Sequence, residues 1–168
     1  MRQGFIISFL LLVMCFSSCS DAPNYPIEPV ITYEGISKNQ VFQFTNGPVD
    51  SVQIRFSFTD GDGDLSQIDS DSIDIFFTDS RLPDLPFFFR FPLIDPEGTG
   101  NGISGTATVT LVNSLSGAGI CCIFEEVRCA EDPNFPVDEV VYSIQIRDRA
   151  NNFSNVIETE PIQIICVP

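Results

Sequence analysis

The chain has no histidine and no tryptophan among its 168 residues. Without histidine it lacks the commonest general base, the Ser-His-Asp and Cys-His triads, and the usual zinc and copper ligands. Without tryptophan, and with three tyrosines, it is short of the amphipathic rings that bind sugars by stacking. Basic side chains are also scarce: eight Lys and Arg against 23 Asp and Glu give a formal net charge of −15. Such a field repels nucleic acid and anionic headgroups, so neither is an expected partner. Paired-carboxylate chemistry survives these exclusions. The acids, however, fall in turns and on strand surfaces, and nothing marks two of them as a buried pair, so no enzyme is expected.

No apolar run reaches the about 20 residues that a transmembrane helix needs. The longest runs from Phe5 to Val13 with Ser8 interrupting it, follows Arg2, and leads to Phe16-Ser17-Ser18-Cys19. A basic start, a short apolar run and small residues before a cut are the parts of a signal peptide. The two serines before Cys19 resemble the lipobox of bacterial lipoproteins, with Phe16 where that family usually has Leu. Cys15 is the poorer candidate, because Met14 is bulky for the position before the cut. The resemblance implies that residues 1–18 are removed and that Cys19 is acylated and anchors the chain to a membrane, where several acyl chains hold stably. Residues 19–29 hold three prolines, Pro23, Pro26 and Pro29, and are expected to form an extended tether at ~3.1 Å per residue. Residues 30–168 are expected to form one domain.

Processing at Cys19 leaves seven basic and 23 acidic side chains, a net charge of −16. It also leaves Cys121, Cys122, Cys129 and Cys166 beyond the anchor. An even cysteine count in an exported chain reads as disulfides rather than a metal-thiolate cluster. Adjacent cysteines pair only with backbone strain, so Cys129 takes one of Cys121 and Cys122 while Cys166 takes the other. Which takes which stays open.

Apolar residues recur with period two, the signature of half-buried strands. Val52, Ile54, Phe56 and Phe58 share one face; Ile73, Ile75 and Phe77 another; then Phe87, Phe89 and Phe91; Ala107, Val109 and Leu111; and Val140, Tyr142, Ile144 and Ile146. A last strand over about 155–166 is interrupted by Pro161, which suggests a bulge or an edge. Turn-forming residues separate these runs at 45–48, 60–64, 96–102 and 148–152. The one stretch with any helical spacing is 123–129, one or two turns at most. The pattern predicts an all-β, two-sheet antiparallel sandwich of about seven or eight strands.

Thr59-Asp60-Gly61-Asp62-Gly63-Asp64-Leu65, with Val141-Tyr142-Ser143-Ile144-Gln145-Ile146-Arg147-Asp148 far downstream, resembles immunoglobulin-like surface domains. It is most similar to those of lipoproteins from Bacteroidetes-type bacteria. The resemblance implies an immunoglobulin-like sandwich in the cell envelope, lipid-anchored, in the outer membrane. It also implies that loops 60–64 and 148–152 lie side by side at one apex, with Cys166 and the connection 114–136 at the other end.

Asp60, Asp62 and Asp64 alternate with glycines, and calcium is a hard cation that takes six to eight oxygens. The spacing matches the first half of an EF-hand loop, but Leu65 stands where the glycine belongs and strands flank the loop, so an EF-hand is rejected. Asp148, Asn151 or Asn152 are the expected contributors from the neighbouring loop. The competing reading is a plain Asp-Gly turn. For Phe87 to Phe91, core packing is preferred over a ligand platform, because alternation leaves mainly Phe88 outside. The leading functional expectation is a non-catalytic, lipid-anchored module for protein interaction or envelope architecture, with calcium as a stabilising ion. The alternative is a carbohydrate- or peptide-binding accessory lipoprotein of a nutrient-uptake system. An exposed aromatic cluster near an apical loop would favour that alternative.

Overall fold

A computed structural model describes residues 24–43, 49–65, 73–92, 94, 102–113, 119–130 and 132–166. Cys19, the signal peptide and most of the turns 45–48 and 96–102 lie outside the described residues. The described chain is all-β, and none of it forms a helix long and apolar enough to cross a membrane.

One layer is the antiparallel sheet β1–β3–β6, made of β1 (Val30–Ile36), β3 (Ser51–Asp60) and β6 (Ile103–Val112). The strand β3 shows why the period-two pattern folds as it does. Val52, Ile54, Phe56 and Phe58 are all buried, and Gln53 and Arg55 between them face solvent. Each such apolar side chain contributes about 1.5–3 kcal/mol on leaving water.

The other layer comes in two pieces. One is β11–β10–β4–β5, with β4 (Ile75–Asp79), β5 (Phe87–Phe89), β10 (Tyr142–Ile146) and β11 (Ile157–Glu158). The second is β2–β12–β9, with β2 (Gln40–Phe42), β9 (Val137–Val140) and β12 (Ile162–Ile165). Val141 alone separates β9 from β10, and residues 159–161 separate β11 from β12, so the two pieces continue one another. Pro161 lacks the N–H needed to prolong the ladder. Thr159 bridges the break instead: its hydroxyl accepts from Tyr142 N–H at 3.0 Å while its own N–H donates to Tyr142 O at 2.9 Å. Side chains from both layers, including Ile54, Phe56, Leu111, Phe77, Tyr142, Ile144 and Ile164, form one buried cluster. The layers therefore face each other around a single core.

The segment 123–129 is not helical. It forms a tight hairpin of β7 (Ile123–Phe124) and β8 (Val127–Arg128), with Glu125 and Glu126 both at positive φ. The disulfide Cys121–Cys129 closes this hairpin at its base, and Cys122–Cys166 ties it to the end of β12. That is one of the two pairings left open by the sequence.

The registers define two poles. Val30 pairs Thr59, Asp60 pairs Ile103 and Ile146 pairs Ile75, which gathers loops 60–64 and 148–152 and the start of β1 at one end. Ser51 pairs Val112 and Cys166 N–H donates to Pro136 O, which places the disulfides at the other. Arg81 sits at that disulfide pole, with its guanidinium forked onto Asp79 at 2.9 and 2.7 Å and also bonded to Asp138 and Cys121 O.

Candidate cation site at the apex

Strand β3 ends by burying a carboxylate. Asp60 is 0% exposed, because alternation places it in phase with Val52 to Phe58. The chain then turns sharply. Gly63 takes φ 73°, a conformation that glycine adopts without penalty. Asp64 N–H donates to Asp60 Oδ2 at 2.8 Å, closing the loop on itself. The loop 148–152 closes similarly, with Asn152 donating its N–H and its side-chain amide to Asp148 Oδ1 and Oδ2, both at 2.7 Å. Arg149 N–H donates to Asp64 O at 3.3 Å and holds the two loops together.

One carboxylate oxygen from each of Asp60, Asp64 and Asp148 lies within 4.8 Å of the others. Asp62 points outward and is exposed, apart from this group. Among the described residues three buried side-chain polar atoms have no hydrogen-bond partner, and two of them are Asp60 Oδ1 and Asp64 Oδ1. A buried carboxylate oxygen without a donor is costly unless a cation or proton meets it. The protonation behaviour agrees. Burial, reinforced by the charges of Asp62, Asp64 and Asp148, raises the Asp60 pKa to about 7 against the opposing bond from Asp64 N–H. Asp64 is raised too, first by burial and then by Asp62 and Asp148, with Arg149 pulling the other way. A hard cation would satisfy both orphaned oxygens and cancel the mutual repulsion. The donor set is all oxygen, which suits calcium or magnesium rather than a softer metal.

The sequence reading named Asp60, Asp62, Asp64 and Asp148 together, and the structure brings all but Asp62 to one point. It also adds a feature that the reading did not anticipate. Phe88 is exposed as expected, but Phe76 and Phe153 join it on the outer face of β4 and β5. Their ring centroids lie 5.5 Å (Phe76 to Phe88) and 5.6 Å (Phe76 to Phe153) apart. The Arg147 guanidinium stands 5.4 Å from the Phe76 ring and 5.8 Å from that of Phe153. Phe88 and Phe153 are 42% and 48% exposed, and Phe153 follows directly on the apical loop. Phe87 and Phe91 are buried in the core, as alternation requires. The out-of-phase Phe76, between Ile75 and Phe77, was the available sign of an aromatic outer face. The Arg81 cluster was missed as well; its sign was a lone cation two residues after Asp79 in a strongly acidic chain. No protein-family model, curated protein or solved structure matches the chain.

Proposed function

We propose that this chain is a lipid-anchored, non-catalytic module of the cell envelope, displayed through Cys19 at the outer membrane for protein interaction or envelope architecture, and braced at its apex by calcium. Immunoglobulin-like connectivity is part of the proposal, and the strand order in the two layers supports it. The observation that carries the calcium reading is the pair of buried, partnerless oxygens on Asp60 and Asp64 facing Asp148. In this reading Asp60, Asp64 and Asp148 hold the ion. Asn151 and water complete its shell, and the ion acts structurally, with no bond made or broken.

Thermal unfolding of the oxidised protein in EDTA and then in millimolar calcium tests this. At about 100 times its dissociation constant, a ligand of the folded state stabilises by ~2.7 kcal/mol. For a domain of this size the midpoint should rise by roughly 5–10 °C. Asp60→Asn and Asp148→Asn should each abolish the rise. An unchanged midpoint for the unaltered protein would reduce the loop to a turn.

A second reading is favoured by the aromatic face: a carbohydrate- or peptide-binding accessory lipoprotein. Exposed Phe88 and Phe153, with half-buried Phe76 and Arg147 between them, form an aromatic surface beside the apical loop, the arrangement that such binding would use.

A further inference from the structure

The chain joins the sandwich at the carboxylate pole, and it does so in contact with the candidate cation loop. Gly61 N–H, one residue after Asp60, donates to Pro26 O at 2.7 Å. A side chain at Gly61 would stand 2.5 Å from both Pro26 O and Tyr25 O, so only glycine admits the approach. A side chain at Gly102 would meet Asp60 O at 2.3 Å and the Tyr25 ring at 3.0 Å. Within the expected tether, Tyr25 is thus half-buried against the loop and Pro29 is fully buried. At the start of β1, the Asn155 side chain takes both Ile31 N–H and Ile31 O at 2.9 Å. The segment 25–31 is therefore gripped from two sides, by Asn155 and by the loop whose two ends are Asp60 and Asp64.

We propose that calcium at Asp60, Asp64 and Asp148 locks the tether segment 25–29 onto the domain, so that the ion fixes the point at which the chain enters the sandwich. This rests on the calcium reading above. Gly61 can hold Pro26 only while the 60–64 loop keeps its shape. Without the ion, like charges push Asp60, Asp64 and Asp148 apart, and the loop opens. With the ion, the loop is closed across its two ends and the Gly61 N–H stays aimed at Pro26 O. The chain then enters the sandwich at the ion-binding pole, opposite the disulfides.

Hydrogen exchange followed by mass spectrometry tests the lock, with calcium, magnesium or EDTA as the only additions. The amides of Gly61, bonded to Pro26 O, and Ile31, bonded to Asn155, should exchange roughly tenfold more slowly in calcium, as for a local opening that the ion suppresses. Amides in the middle of β3, β10 and β12 should change far less. Pro26→Gly, which loosens the tether without touching a carboxylate, should keep the calcium-induced rise in melting temperature and lose most of the slowing at Gly61 and Ile31. A rise in melting temperature with unchanged or uniformly slowed exchange would overturn the lock and leave the calcium site standing. Absence of both responses would overturn the site and the lock together.

Discussion

At Asp60, burial and three neighbouring acids act in the same direction, and the sign of their effect on stability follows. The carboxyl titrates at 3.8 when unperturbed and at about 7 in the fold. A group whose folded pKa is raised stabilises the fold fully below its unfolded value, and that contribution is lost as pH rises through the folded value. The metal-free protein should therefore melt at progressively lower temperature from about pH 4 to about pH 7, the window set by that shift. Asp60→Asn should flatten the decline, because the amide carries no charge to bury. Calcium, on the proposed reading, would bind the ionised form and should hold the melting temperature up at the alkaline end. Melting curves in EDTA across this window decide the matter: an Asp60→Asn protein with an undiminished decline would assign it to other groups.

At the scale of the element, the β7–β8 hairpin is the least comfortable piece of backbone. Glu125 and Glu126 lie at φ 47° and 66°, where a residue with a side chain sits about 1–2 kcal/mol above its preferred conformation. Asn-Gly suits a two-residue turn of this shape. Glu125→Asn with Glu126→Gly should raise the melting temperature by roughly 2–5 °C; an unchanged value would mean that the disulfide alone sets the turn. The same hairpin shows where sequence reasoning stops. Ile123, Phe124 and Val127 fall at helical spacing, and the closure of Cys121 on Cys129, which that spacing does not reveal, accompanies a hairpin instead. The strand β3 was legible throughout, because each of Val52, Ile54, Phe56 and Phe58 points into one core. The strand β1 was not. Its register shifts between Tyr33 and Gly35, so its apolar residues do not keep a single phase. For the apex, which acids meet could be anticipated from the two loops. That Asp60 Oδ1 is buried without a donor could not be read from the loop itself, where Tyr25, Pro26 and Gly102, distant in sequence, pack against the Asp60–Gly61 backbone.

Across the whole molecule, the two poles are held by different chemistry. Residues 122 and 166 are separated by 44 positions and residues 121 and 129 by 8. Loop-closure entropy makes the longer bridge worth about 4 kcal/mol and the shorter about 2.5 kcal/mol. Urea unfolding of the Cys122→Ser/Cys166→Ser protein should show the larger loss, and that of Cys121→Ser/Cys129→Ser the smaller; the reverse order would place the strain of the hairpin above the entropy of the loop. The disulfides at one pole and the proposed cation at the other both depend on the surrounding solution. A reducing, calcium-poor solution removes both and leaves the apolar core to hold the sandwich alone. On the proposed export route, the chain is therefore at its weakest while it must still thread a translocation pore, and at its strongest where proteases are met.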